Sequence, residues 1–226
     1  MADGLKIKEE WDIYWAKNKN SLGSTYDFIA SFYRKAIITN ILNHFIKKYF
    51  KQNSSVLHAG CGGGQVDLEI SNYIKITALD ISPEALEMYQ KVHHGKANTV
   101  EGNIFSLPFA DNSFDSLYNL GVMEHFTEEE IQQILKEFFR VLKKDGKMII
   151  FWPPVFGITV NFLDFTHFFL NKILRKNVQL HPPEITRIKS KKHAILQFEK
   201  AGFSILQYYF GLRDFFTQSV IVVEKK

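Results

Sequence analysis

The feature that most constrains the fold is an alternation of strand patterns and helix patterns between residues 56 and 152. Short apolar runs predict five strands, and the stretches that join them carry helical signals. The predicted strands are VLHAG (56–60), KITALDI (75–81), NTVEGN (98–103), FDSLYNL (114–120) and KMIIFW (147–152). This alternation predicts an α/β fold, in which helices cover both faces of a mostly parallel sheet.

The helices between these strands have recognisable boundaries. The first is predicted over about 65–73. The second begins at Ser82-Pro83, where a serine N-cap precedes a proline at the first helical position. The third begins at Thr127 with a capping box and ends near Lys144.

Both ends of the chain add to this pattern. Apolar residues at helical spacing predict a long helix over 26–50, so residues 1–50 are interpreted as an N-terminal helical cap. Residues 153–192 interrupt the alternation and are interpreted as an inserted, lid-like segment. The remaining elements are a helix at 193–201 and strands at 203–210 and 217–224. A short loop joins these two strands, so they should pair antiparallel. The sequence thus predicts one domain over 1–226.

Composition excludes several classes of protein. Cys61 is the only cysteine, which rules out a disulfide framework and any multi-cysteine metal site. No apolar stretch is long enough to span a bilayer, and no secretory signal is visible, so a cytoplasmic protein is expected. The net charge is +4, but residues 172–192 alone carry +6. Positive charge is therefore concentrated in the inserted segment.

A glycine cluster follows the first predicted strand. Gly60, Gly62 and Gly64 alternate along the chain, and glycines there let a ligand approach bare backbone at the carboxyl edge of an α/β sheet. A phosphate-binding P-loop would need a Gly-Lys-Ser/Thr ending, which is missing. A dinucleotide loop would need a third glycine where Gln65 or Asp67 stands. The remaining pattern is G-x-G-x-G.

Further segments follow this loop in a familiar order. Asp80 ends the second strand twenty residues after Gly60, where a carboxylate can accept hydrogen bonds from ribose hydroxyls. Two further segments follow Asp80 along the chain: VEGNIFSLPFADNSFDSLYNLGVMEHF and VLKKDGKMIIF. Together with the glycine loop, these segments resemble motifs of the class I S-adenosylmethionine-dependent methyltransferases, especially the small-molecule, ubiquinone-biosynthesis-like branch. The resemblance implies a Rossmann-like seven-stranded sheet of order 3-2-1-4-5-7-6 with strand 7 antiparallel.

The resemblance also assigns roles to individual residues. It implies S-adenosyl-L-methionine as cofactor, with S-adenosyl-L-homocysteine as product, and a cofactor site lined by matching positions. These positions are Gly60, Cys61, Gly62, Gly64, Asp80, Ile81, Asn103, Ile104, Leu120 and Gly121. Asp80 would hold the ribose, while Ile81, Asn103 and Ile104 would surround the adenine. The family usually has an acid where this chain has His58, and often an aspartate at Asn103.

Glu124 and His125 are the candidate catalytic pair. They follow the fourth strand, at the mouth where substrate should meet the methyl group. They resemble the Glu-His pair of quinone-biosynthesis O-methyltransferases and of cyclopropane fatty acid synthases. A histidine with a pKa near neutral can deprotonate a hydroxyl nucleophile. The alternative is that the pair only shapes the loop before Thr127. No ligand spacing predicts a metal site.

Aromatic residues stand out in two places. Phe156, Phe162, Phe165, Phe168 and Phe169 precede the basic run. The segment 156–192 is compatible with a lid over an apolar substrate, with peripheral membrane contact, or with a helix that packs on the domain. Trp11, Tyr14 and Trp15 are compatible with a substrate lid or with an N-terminal anchor.

The sequence therefore predicts an S-adenosylmethionine-dependent methyltransferase that acts on a small acceptor of apolar, aromatic or lipid-like character. One alternative is a methyltransferase of RNA or another macromolecule, although Tyr118-Asn119-Leu120-Gly121 stands where an N-methylating Asn/Asp-Pro-Pro-Tyr/Phe motif would lie. Nucleic acid is thus the less favoured partner. A noncatalytic, membrane-associated protein that binds S-adenosylmethionine is the other alternative.

Overall fold

A computed structural model describes residues 8–9, 11–15, 34–158, 172 and 184–226. The sheet contains β1 (Ser55–Ala59), β2 (Lys75–Asp80), β3 (Asn98–Glu101), β4 (Phe114–Leu120), β5 (Leu142–Trp152), β6 (Phe203–Tyr209) and β7 (Ser219–Lys225). The α-helices with described bounds are α1 (Thr39–Tyr49), α2 (Pro83–Val92), α3 (Glu128–Val141) and α4 (Lys191–Lys200). The strand order is β3-β2-β1-β4-β5-β7-β6, which confirms the predicted fold.

Strand pairing brings the functional loops to one edge of the sheet. β1, β2, β3, β4 and β5 are parallel, whereas β7 pairs antiparallel with both β5 and β6. The carboxyl ends are in register, as the pairing of Asp80 with Glu101 and of Leu120 with Phe151 shows. The loops after β1, β2, β3 and β4 therefore meet at what we call the carboxyl edge, where α/β sheets bind their ligands.

The core fills both faces of the sheet. On one face, Leu42 and Phe45 of α1 pack with Tyr118 and Ile149, and on the other, Phe138 of α3 packs with Met148 and its neighbours. The capping box predicted for α3 is present. Thr127 Oγ1 accepts from the Glu130 amide at 3.3 Å, and Glu130 Oε2 accepts from the Thr127 amide at 2.9 Å. This cap fixes where α3 begins, directly after the candidate catalytic pair.

The helix predicted over 65–73 is wrong. The chain forms turns there, followed by a short 3₁₀ helix (Ile70–Asn72). The amides of Asp67 and Ile70 bond to the carbonyls three residues earlier, at 3.3 and 3.1 Å. The Asp67 side chain is drawn into the interior by His58 and Tyr89, which favours these tight turns over a regular α-helix.

Other predicted boundaries change by a few residues. Within the described residues, the N-terminal helix begins as a π-helical turn (Arg34–Ile38) before α1, and the predicted stretch 26–33 lies outside those residues. Ser82 is the N-cap of α2, but its hydroxyl donates to Glu84 Oε2 at 3.1 Å instead of accepting from the backbone.

The two ends of the inserted segment meet beside β5. Pro154 and Ile188 form a parallel bridge, and Trp152 Nε1 donates to the Thr186 carbonyl at 2.9 Å. The predicted aromatic face of Phe162, Phe165, Phe168 and Phe169 lies outside the described residues. The organisation of 1–226 as one domain with a cap and an insertion stays a prediction. No helix in the described part of the chain is long and apolar enough to cross a membrane.

Candidate active site

The glycine loop presents bare backbone at the carboxyl edge. Gly60, Gly62 and Gly64 have φ values of 70°, 52° and 70°, which L side chains rarely adopt. The amides of Gly60 and Cys61 both donate to the Leu79 carbonyl, at 2.8 and 2.9 Å, and so tie the loop to β2. A Cβ on Gly60 would lie 2.6 Å from Val122 Cγ2, so this position has no room for a side chain. The loop is therefore a rigid cradle.

Asp80 is linked directly to that cradle. Its Oδ2 accepts from the Gly62 amide at 2.9 Å, and its Oδ1 accepts from the Ser82 amide at 3.0 Å. Burial raises the pKa of the Asp80 carboxyl, and these two amides partly offset the effect. Each carboxylate oxygen has a further lone pair, so Asp80 can hold the loop and still accept hydrogen bonds from a ligand.

The residues predicted to surround adenine lie beside Asp80. Asn103 follows β3, and its Oδ1 accepts from the Phe105 amide at 2.9 Å, which fixes the turn. Ile104 is nearly buried and Ile81 is half-buried. The Ile81 carbonyl accepts from Lys8 Nζ at 3.1 Å, and the same ammonium lies 3.0 Å from Glu101 Oε1. Lys8 thus links the N-terminal segment to this end of the site.

The helical residues 8–9 and 11–15 cover the mouth of the site. A Cβ on Gly62 would lie 2.8 Å from Trp15, so the indole packs directly on the glycine loop. The Trp11 ring lies edge-on to His125, with centroids 5.1 Å apart, and Tyr14 contacts both tryptophans. Of the two predicted roles, this contact pattern favours the lid.

Leu120 ends β4, and Gly121 follows it. The neighbouring Asn119 was missed by sequence reasoning: its Nδ2 donates to the Ala59 carbonyl at 2.6 Å, while its buried Oδ1 has no hydrogen-bond partner among the described residues. The backbone turns sharply at Gly121, where φ is 67°. Asn119 Nδ2 would lie 3.5 Å from a Cβ on Gly60, so the side chain that carries this acceptor atom lies next to Gly60.

The candidate catalytic pair lies on a 3₁₀ turn (Met123–His125). Glu124 is only 6% exposed, and burial raises the pKa of its carboxyl to about 8. Its Oε2 finds no hydrogen-bond partner in the described part of the chain. The Glu124 carbonyl accepts from the amides of Ile185 and Thr186, at 2.6 and 3.0 Å. Residues 185–186, in the described end of the inserted segment, therefore bond to the backbone of the pair.

His58 lies in the interior, behind the glycine loop. Its Nδ1 is 2.6 Å from Asp67 Oδ2, and that oxygen also accepts from the Tyr89 hydroxyl at 2.6 Å. His58 and Asp67 are both buried, and the His58 ring stacks on Tyr118. Asp67 therefore supplies a carboxylate beneath the loop, although the chain has a histidine where the family usually has an acid.

Cys61 is suited to filling space between glycines. The side chain is 5% exposed, and burial raises the pKa of its thiol well above the ordinary value, so the reactive thiolate is disfavoured. Among the described residues, no group of three or more His, Cys, Asp or Glu side chains could hold a metal ion.

Comparison with known proteins identifies the family. Residues 57–150 match a sequence family described as a methyltransferase domain. The ubiquinone/menaquinone biosynthesis C-methyltransferase of Geotalea daltonii is 31% identical over 183 residues, which is 76% of this chain and 72% of that protein. The chain belongs to the class I S-adenosylmethionine-dependent methyltransferases. The predicted enzyme class is thereby confirmed.

Solved methyltransferase structures share the fold. An S-adenosylmethionine-dependent methyltransferase from Methanosarcina mazei superposes with a TM-score of 0.63 at 23% identity, over 80% of this chain and 96% of that one. The magnesium protoporphyrin IX methyltransferase of Synechocystis, solved with bound S-adenosylhomocysteine, has a TM-score of 0.68 at 14% identity, over 99% and 100% of the two chains. This methyltransferase belongs to a family that acts on small molecules.

Proposed function

We propose that this methyltransferase binds S-adenosylmethionine between its glycine loop and Asp80, and transfers the methyl group to a small apolar or aromatic acceptor. The main support for the proposal is that the residues of the candidate site adjoin one another along the carboxyl edge. The bare loop, Asp80, and the Glu124–His125 turn lie on adjacent strand ends, under one aromatic lid. The name of the Geotalea relative, which refers to quinone biosynthesis, supports an acceptor with an aromatic ring.

The described residues fit the cofactor. Gly60 and Gly62 carry no side chains of their own, Trp15 of the lid lies over Gly62, and Asp80 retains lone pairs for ribose hydroxyls. The unpartnered Oδ1 of Asn119 offers an acceptor to an ammonium group at the Gly60 end. Ile81, Asn103 and Ile104 would then flank the adenine.

The position in β1 where the family usually has an acid is His58 in this chain, and His58 is paired internally with Asp67. Asp80 would therefore be the main anionic contact to the cofactor. That pairing keeps His58 away from the ligand.

The protein's own contribution to the chemistry would be alignment and proton handling. When bound, S-adenosylmethionine supplies an electrophilic sulfonium methyl group. Alignment of an acceptor atom behind that methyl supplies much of the rate. His125, at the mouth, would take a proton from an acceptor hydroxyl, which makes an aromatic ring more nucleophilic. Glu124, with a pKa of about 8, retains its proton at neutral pH and can donate a hydrogen bond there.

Calorimetry on the purified enzyme tests the cofactor assignment. We expect S-adenosylhomocysteine to bind and NAD to give no heat, because the residue needed as the third glycine of a dinucleotide loop is Gln65. Binding of NAD without any response to S-adenosylhomocysteine would refute the assignment.

The chemical class of the acceptor is tested by a transfer assay with S-adenosylmethionine labelled on its methyl group. We expect label to enter a hydroquinone-type lipid extract rather than RNA. Labelled RNA, or an RNA affinity that falls steeply with salt, would favour the macromolecular alternative. Cofactor binding without transfer to either material would favour a noncatalytic binding protein.

A further inference from the structure

Exposed apolar side chains are concentrated at one place on the surface. Ten large apolar side chains are exposed in the described part of the chain. Five of them follow the end of β5 or lie between β6 and β7, and a sixth, Ile185, lies in the segment before α4. We call these six the edge patch: Val155, Phe156, Ile158, Ile185, Leu212 and Phe215. Contiguous exposed apolar area of this kind marks an interaction site more often than scattered single residues do.

Backbone hydrogen bonds join the three segments that carry the patch. The Val155 amide donates to the Ile188 carbonyl at 3.0 Å, and the Ile158 amide donates to the Phe216 carbonyl at 3.1 Å. The Phe156 ring lies edge-on to Phe210, with centroids 4.9 Å apart. All three segments adjoin the carboxyl edge, because Trp152 at the end of β5 pairs with Ser219 at the start of β7. The patch therefore lies on the same edge as the candidate active site.

The loop between β6 and β7 holds its apolar side chains outward at a conformational cost. Phe215 and Phe216 have φ values of 55° and 58°, the left-handed region that bulky residues avoid. The buried Asp214 carboxylate stabilises the turn by accepting from the Gln218 amide and the Thr217 hydroxyl. Phe215 remains 61% exposed and Leu212 76% exposed. Strain of this kind is retained mainly where it serves a function.

Exposed cations lie close to the patch residues along the chain: Arg213 lies between Leu212 and Phe215, and Lys191 and Lys192 follow the segment that carries Ile185. Lys191, Lys192 and Arg213 are exposed, and the described segment 184–192 carries more basic than acidic side chains. Lys191 and Lys192 occupy the first turn of α4, where the helix dipole favours acids and no acid is present. In sequence, the intervening residues 159–183 continue the same combination of phenylalanines and basic residues. Apolar side chains with basic residues near them can bind a membrane surface that contains anionic lipid, because the apolar groups insert and the cations attract the headgroups.

We propose that the edge patch docks the methyltransferase on an anionic lipid surface. A second copy of the chain is a poorer occupant, because a two-fold contact would bring the positively charged segments of both copies close to one another. Docking in this orientation would turn the mouth of the active site toward the lipid, so an apolar acceptor enters from the membrane. Only this consequence for the acceptor rests on the proposed function, since docking itself needs neither cofactor nor turnover.

Flotation with two kinds of vesicle tests the proposal. We expect the full-length enzyme to bind phosphatidylcholine vesicles that contain phosphatidylglycerol, to bind pure phosphatidylcholine weakly, and to be released by added salt. Leu212→Ser with Phe215→Ser should lower the partition coefficient at least about tenfold, through lost apolar insertion. Lys191→Gln with Lys192→Gln should lower it about tenfold on the anionic vesicles only.

Matched double variants provide the controls. Leu196→Ser with Leu206→Ser removes two other exposed leucines, and Lys51→Gln with Lys144→Gln removes two exposed lysines at the opposite edge. Neither control should change the partition coefficient by more than about twofold, a difference well under 1 kcal/mol.

All variants should keep their affinity for S-adenosylhomocysteine, so a failure of docking is distinguishable from a failure of the proposed function. Absence of vesicle binding, equal losses in the controls, or self-association through the patch without vesicle binding would each overturn the proposal.

Discussion

Asp80→Ala is expected to weaken S-adenosylhomocysteine binding by about ten- to a hundredfold, because hydrogen bonds to a charged group contribute about 1.5–3 kcal/mol. Two effects act together. The ribose hydroxyls would lose their acceptor, and the Gly62 amide would lose the carboxylate that fixes the glycine loop. Isothermal titration calorimetry measures the change directly, with circular dichroism to verify that the variant is folded.

Two further variants separate these effects. Asp80→Asn keeps an acceptor oxygen for only one of the Gly62 and Ser82 amides and removes the charge, so its affinity should fall between those of the wild type and the alanine variant. Glu129→Ala removes an exposed carboxylate from the first turn of α3 and should leave the dissociation constant unchanged. If Asp80→Ala binds as tightly as the wild type, Asp80 is only a turn residue and the ribose is held elsewhere.

The glycine loop and Asp80 were predictable because their signals are local. The pattern is a strand followed by alternating glycines and then a second strand that ends in an acid. It can be recognised without knowing which distant residues are in contact. Parallel pairing then brings Asp80 next to the loop, as the register of β1 with β2 shows. The strand order also followed from sequence, since a resemblance to one fold family specifies the whole sheet.

The internal pair of His58 and Asp67 was not predictable from the same signals. An isolated histidine in a strand gives no indication of its partner, and Asp67 lay in a stretch interpreted as helix. The two side chains meet only because the chain turns tightly after Gly64, which brings Asp67 beneath β1. A buried aspartate is costly unless it is paired, so the interior contact overrides the local helical preference.

The lid was predictable only as an alternative. Clustered aromatic residues at 11–15 indicate an amphipathic segment, but nothing in the sequence says which surface it covers. The decisive contacts join Lys8 to Ile81 and Trp11 to His125, across more than seventy residues. Such contacts depend on tertiary packing, and they place two tryptophans over the predicted cofactor and catalytic residues.

Glu124→Gln is expected to stabilise the folded enzyme at and above neutral pH. The folded-state pKa of Glu124 is about 8, whereas the ordinary value in an unfolded chain is 4.5. Between these values the folded protein keeps a proton that the unfolded chain releases, so the free energy of unfolding falls as pH rises. The slope reaches about 1.4 kcal/mol per pH unit for one such group. Glutamine has a similar shape and does not titrate, so the variant should not lose unfolding free energy from this group as pH rises.

The measurement is urea unfolding of wild type and variant between pH 5 and pH 9. The difference in unfolding free energy should grow by about 2–4 kcal/mol in favour of the variant from pH 5 to pH 8, and then level off. Glu184 and Arg187 also act on the Glu124 carboxyl and have opposite effects on its pKa, so burial remains the dominant cause. Glu129→Gln, at an exposed site, should follow the wild-type curve. A Glu124→Gln curve parallel to the wild type would show that Glu124 is ionised in the folded protein, and it would remove the neutral hydrogen-bond donor proposed for the active site.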